Sequence, residues 1–123
     1  MKIEGIYAKN IELTPAIERR VTSRLQKIAK IVKRLEPASI KAEVGMVSPH
    51  HQKGDDLFYA ELHATIQGQE FHASKNEADL YKAIEKVRDD FYRQVVAWKE
   101  RTIGRERKGR ALFKRLLRRD TEV

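Results

Sequence analysis

NEADLYKAIEKVRDDFYRQVVAWKER, residues 76–101, decides how the rest of this 123-residue chain must fold. Its apolar residues Leu80, Ile84, Val87, Phe91, Val95 and Trp98 recur in steps of three and four, which makes one stripe along a helix. Asn76 can accept a hydrogen bond from the orphan N–H groups of a first turn, and Glu77 and Asp79 put negative charge at the positive end of the helix dipole. Lys99 and Arg101 stand at the other end, where cations are favoured. The spacing predicts a helix of about seven turns, with one face made for a sheet.

The upstream residues supply that sheet. Residues 2–8 (KIEGIYA) are short and β-prone. Thr14-Pro15 then offers an N-cap followed by proline at the first helical position, where its missing N–H costs nothing. Ile17, Val21, Leu25, Ile28, Val32 and Leu35 form a second helical stripe, and Pro37 stops it, so a helix is predicted over 15–34. Residues 39–47 alternate, with Ile40, Ala42, Val44 and Met46 on one face and Lys41, Glu43 and Gly45 on the other. SPHHQKGDD, 48–56, reads as a polar loop. Strands are predicted over 57–67 and 70–74, joined by a turn at Gln67-Gly68.

That turn sets a register. Ile66 then faces Gln69, Ala64 faces Phe71 and Leu62 faces Ala73, while His63 and His72 fall opposite each other on the polar face. The element order is β-α-β-β-β-α. It predicts an α+β fold, a four-stranded sheet with two helices packed on one face, plus a basic C-terminal tail. The other sheet face, with Tyr59, Glu61, His63, Thr65 and His72, is left for water or a partner.

Composition narrows the function. The chain has no cysteine, which excludes disulfides and thiolate metal sites. It shows no span-length apolar run and no signal-peptide core, so the expectation is a cytoplasmic protein with no membrane partner. Its 26 basic residues outnumber 18 acidic ones, a net charge of +8 that favours a polyanionic partner, most often nucleic acid. Eight basic and three acidic residues lie in 102–123, so the tail holds +5 and the first 101 residues +3. The expected division is a body, 1–101, and a basic tail, 102–123, flexible or a short amphipathic helix. Gly104 and Gly109 are expected to interrupt the long helix, and Ala111, Leu112, Phe113, Leu116 and Leu117 give the tail an apolar side.

The outward arc of the first helix carries Arg19, Lys27, Lys30, Lys33 and Arg34, with Arg20 and Arg24 on its flank. The second contributes Lys82, Lys86, Arg93, Lys99 and Arg101. Side by side, two such arcs form a shallow positive groove suited to closely spaced phosphates. An ordinary solvated helix face reads equally well from these residues alone, although Lys82–Lys86 and Glu85–Asp89 are like-charge pairs that an isolated helix avoids. Tyr81 and Tyr92 either pack at the helix edge or stack on a base. His63 and His72 with a carboxylate could hold zinc, but no third ligand is fixed and no metal or cofactor is expected. With no nucleophile elbow and no glycine-rich phosphate loop, no catalytic residue is assigned and the chain is not expected to be an enzyme.

Several short motifs carry a resemblance. Asp79-Leu80-Tyr81, Ala83-Ile84-Glu85, Val87, Asp90 and Arg93-Gln94-Val95 resemble the second-helix signature of the ribosome hibernation promoting factor / ribosome-associated inhibitor A (protein Y) family. Lys9-Asn10-Ile11-Glu12-Leu13-Thr14-Pro15-Ala16-Ile17 is similar to that family's strand-to-helix junction. The resemblance covers residues 1–101, to a short form of the family. It implies a monomeric factor that binds the small ribosomal subunit and its ribosomal RNA, and needs no small-molecule substrate. Such a factor occludes the messenger and transfer RNA channel under stress or in stationary phase. By match to the family's second helix, the RNA contacts would be Lys82, Lys86, Arg93, Lys99 and Arg101, joined by Arg20, Arg24 and Lys27. Val96-Ala97-Trp98 departs from the family's lysine-rich continuation, and no separate dimerisation domain follows, so self-driven ribosome pairing is not expected. Two other readings stay open, a general double-stranded RNA-binding module and a regulator docking on protein through its amphipathic tail.

Overall fold

Strand pairing organises the molecule. In the computed structural model the strands are β1 (Lys2–Lys9), β2 (Ala38–Met46), β3 (Phe58–Ile66) and β4 (Gln69–Glu77), and the helices are α1 (Pro15–Ile31) and α2 (Leu80–Arg118). The structure describes residues 1–47 and 57–118, with side chains through residue 102. The predicted 48–56 loop and the apolar side of the tail lie outside the described residues. The strands form one sheet in the order β1-β2-β3-β4, with β1 parallel to β2 and the other two pairs antiparallel. The chain divides into two units, Met1–Tyr92 and Arg93–Val123.

In the first unit the alternation read from sequence becomes the core. Ile40, Ala42, Val44, Ala60, Leu62, Ala64, Ile66, Phe71 and Ala73 are buried on one face of the sheet. Val21 and Leu25 of α1 and Ile84 and Val87 of α2 meet Ala42, Val44, Ala60 and Leu62 around a space of only about 10 Å³, room for no more than a single water. The Phe71 and Phe91 rings pack edge to face, 6.2 Å between centroids. Both helices therefore cover the same sheet face.

The predicted register holds at every pair. Ile66 faces Gln69, Ala64 faces Phe71, His63 faces His72 and Leu62 faces Ala73. Gln67 and Gly68 both have positive φ, 51° and 82°, as a tight hairpin turn between right-twisted strands demands. Gly45 answers a different need. A Cβ there would lie 2.5 Å from the Lys9 carbonyl oxygen and 2.8 Å from the Tyr59 ring.

Helix ends are where the structure departs from the reading. Thr14 caps α1 as predicted, its hydroxyl accepting from the Ile17 N–H at 3.2 Å, but α1 closes at Ile31 and a 3₁₀ turn, Lys33–Leu35, carries the buried Leu35 onward. The cap of α2 is Asp79, not Asn76. Its Oδ1 accepts from the N–H groups of Tyr81 (2.8 Å) and Lys82 (3.4 Å). Asn76 is taken instead by β4, which runs on to pair Asn76 with Tyr59 and Glu77 with Phe58. At its far end α2 continues past Gly104 and Gly109 to Arg118 rather than breaking. Each glycine costs roughly 1 kcal/mol in a helix, and the arginines, lysines, glutamate, alanine and leucines around them are strong helix formers.

Candidate nucleic-acid interface

Within the body, 1–101, the charge excess concentrates on α1 and the 3₁₀ turn that follows it. Residues 15–34 hold seven cations and one carboxylate, Glu18, whereas residues 80–92 hold three of each. The apolar stripe of α1 is buried at Ile17, Val21, Leu25 and Ile28, which forces Arg19, Lys27, Lys30, Lys33 and Arg34 outward into solvent. Lys82 and Lys86 are exposed on α2.

Between the two helices lies an ion-pair cluster with one carboxylate at its centre. Glu85 takes the Arg24 Nε at 2.8 Å on both oxygens, the Arg20 Nη1 at 3.3 Å and the Arg88 Nη2 at 3.5 Å. The Arg20 guanidinium also lies over the Tyr81 ring, 4.7 Å from its centroid, a cation–π contact that braces it. Partial burial works to raise the Glu85 pKa, but the Arg24 hydrogen bond and the charges of Arg24, Arg88 and Arg20 outweigh it and hold the carboxyl below the usual range. In turn the bond to Glu85 raises the Arg24 pKa against its own desolvation. Arg88 also reaches Asp89 through Nε at 2.8 Å.

The predicted contact residues therefore fall into three groups. Arg20 and Arg24 are half-buried and engaged with Glu85. Lys86 pairs with Glu77 at 2.9 Å, an exposed bridge of the kind worth less than about 1 kcal/mol, while Lys27 and Lys82 are exposed and make no ion pair among the described residues. In the second unit Arg93 and Arg101 are exposed and Lys99 half-buried. Trp98, read as part of the stripe, is half-buried. Arg88 was not among the predicted contacts. Its signal was Glu85 three residues before it on the same helical face, with Arg20 and Arg24 one turn apart in α1.

The uncovered sheet face is different in kind. Its cross-strand rows read Gly5–Lys41–His63–His72, Tyr7–Glu43–Glu61–Ser74 and Lys9–Gly45–Tyr59–Asn76. Its charges are largely spent on neighbours. The Tyr59 hydroxyl donates to Glu43 at 2.6 Å, and burial, that bond and the charges of Glu43 and Glu61 push the phenol pKa up. His63 lies 3.4 Å from Glu70 and His72 4.0 Å from Glu61, with the two imidazoles edge to face at 5.7 Å. Among the described residues no group of three or more histidines and carboxylates could hold a metal ion, and no helix is long and apolar enough to cross a membrane.

Comparison with known proteins adds a second line of observation. The family model described as Sigma 54 modulation protein / S30EA ribosomal protein matches residues 5–103. The ribosome hibernation promoting factor of Klebsiella oxytoca is 30% identical over 97 residues, 79% of this chain and 93% of that protein. Its counterpart in Salmonella typhimurium is 28% identical with the same coverage. The ribosome hibernation promotion factor of Deinococcus radiodurans is 24% identical over 110 residues, and the match spans only 56% of that longer protein. Two solved structures share the fold. One is the N-terminal domain of Thermus thermophilus Protein Y, with TM-score 0.59 and 24% identity over 80% of this chain and 99% of that one. The other is a ribosomal subunit interface protein from Coxiella burnetii, with TM-score 0.60 and 14% identity over 80% and 98%.

Proposed function

This chain belongs to the Sigma 54 modulation protein / S30EA ribosomal protein family, and from that premise we propose that it binds the small ribosomal subunit through ribosomal RNA. The family is one of ribosome hibernation and modulation factors. The body, 1–101, works by occupancy: it fills the channel used by messenger and transfer RNA and so holds ribosomes idle, while 102–123 serves as a basic tail. It acts in the cytoplasm, as a monomer off the ribosome, without cofactor or catalysis. The observation that carries the RNA contact is the cation surplus of α1 and the 3₁₀ turn after it, seven against one over residues 15–34. Dense cations displace condensed counterions from RNA phosphates and favour shape over sequence. Arg20, Arg24, Lys27, Lys82 and Lys86, with Arg93, Lys99 and Arg101, are the proposed contacts.

Sedimentation of stationary-phase extract through a sucrose gradient, with an antibody to the chain, tests this. The chain is expected with small subunits or whole ribosomes; recovery only at the top of the gradient overturns the proposal. Lys82→Glu combined with Lys86→Glu is expected to abolish that association and leave the Tm nearly unchanged, because both side chains are exposed. Displacement by bulk duplex RNA at physiological salt would point to a general double-stranded RNA-binding module instead.

A further inference from the structure

A carboxylate at the centre of a phosphate-binding surface is a liability by Coulomb's law alone. Glu85 occupies that place, yet three guanidiniums from two helices converge on it. We infer that Glu85 is a positioning residue: it holds Arg20, Arg24 and Arg88 as a preformed fork for RNA backbone phosphates, with Tyr81 bracing Arg20. This rests on the RNA-binding reading of the helix layer.

The geometry favours positioning over simple neutralisation. Arg24 reaches Glu85 through Nε, with Nη1 3.3 Å from the Ser23 hydroxyl, and Arg20 reaches it through Nη1. Neither presents a full two-nitrogen edge to the carboxylate, so donors remain that can turn to a phosphate. An arginine fork binds phosphate through paired, directed N–H groups, and its gain depends on the plane being set beforehand. Immobilising a long side chain on binding costs roughly 2- to 10-fold in affinity for each one. Three arginines ordered in advance outweigh Glu85 and the Asp89 that Arg88 also reaches, on a surface that stays positive overall. Burial adds to the effect: the side chains of Arg24, Arg88 and Glu85 are 22%, 27% and 31% exposed, so none swings freely in solvent.

The sign of one substitution separates the two readings. Glu85→Gln raises the net charge by one, so bulk electrostatics predicts tighter binding and a steeper salt dependence. Positioning predicts the opposite, about 10-fold weaker binding of the full chain to purified small ribosomal subunits. Glu85→Asp keeps the charge and shortens the reach by one methylene. Bulk electrostatics predicts no change there, and positioning predicts a loss of several-fold. Binding that is equal or tighter in both variants overturns the inference. Val21→Ala supplies the control for stability, since Val21 is buried in the core and carries no charge or donor of its own. A matching loss of affinity in Val21→Ala would show that lowered stability alone explains the effect, and would overturn it too. Lys82→Glu with Lys86→Glu separates the two levels. Should that pair lose association while the Glu85 variants do not, the RNA reading stands and the positioning role falls. Should none of these variants change association, the RNA reading falls and takes the positioning role with it.

Discussion

The two faces of the same sheet have opposite electrostatic designs. On the covered face, α1 carries a large surplus of cations out to solvent, and the three arginines around Glu85 share its carboxylate between the helices. On the open face Lys9 and Lys41 are set among Glu43, Glu61 and Glu70, the tyrosine is tied to a glutamate, and each histidine has a carboxylate within 4.0 Å. One face holds charge unspent and the other balances it locally. A polyanion therefore meets attraction on the helix side and near-neutrality on the sheet side. Net charge alone, +8 for the whole chain, hides this difference.

The largest effect should come from the core that both faces share. Phe91→Ala empties a fully buried position against Phe71 and should cost about 3–5 kcal/mol in urea unfolding, damaging both faces alike. A charge reversal on the helix side, Lys27→Glu with Lys30→Glu, should weaken association with small subunits on the order of 100-fold, because phosphates left without a cation no longer release their counterions. Its counterpart on the open face, Lys9→Glu with Lys41→Glu, should change association by about threefold or less in the same measurement. If the open-face pair weakens binding as much, the contrast between the faces is broken.

The smallest effect is a pH dependence confined to the helix layer. The Glu85 carboxyl titrates lower folded than unfolded, so its contribution to stability is full above its ordinary value of 4.5 and is lost as pH falls through the depressed folded value. Glu85→Gln should remove that acid-sensitive share, about 1 kcal/mol for a partly exposed pair. Tm measured from pH 6 to pH 3 in the two proteins checks it, the difference shrinking toward zero at the acid end.

Local rules made much of this legible in advance. Alternation over 39–47 and 57–67, with Gln67-Gly68 as a turn, was enough to pair His63 with His72, because a slip of one residue would turn Leu62 and Ala64 to solvent. The α2 cap was misplaced because Asn76 and Asp79 are equally good caps locally. Only the length of β3 decides that β4 must extend to Glu77. The cations were visible from helical spacing, and their engagement was not. Arg20 and Arg24 meet Glu85 across 65 and 61 residues of chain, a separation that no helical pattern reports. Arg88 differs, since Glu85 lies three residues before it on the same helix; what the sequence does not report is that Arg20 and Arg24 join that pair once α1 lies beside α2.

The most direct test is the salt dependence of binding to purified small subunits, with log Kd measured against log salt concentration for the unmodified chain and the two charge-reversal pairs. Lys27→Glu with Lys30→Glu is predicted to lower the slope by roughly 0.7–0.9 for each phosphate that is no longer neutralised, while Lys9→Glu with Lys41→Glu leaves it unchanged. Equal slopes in all three proteins, or a drop confined to the open-face pair, would contradict a binding surface built on the helix side.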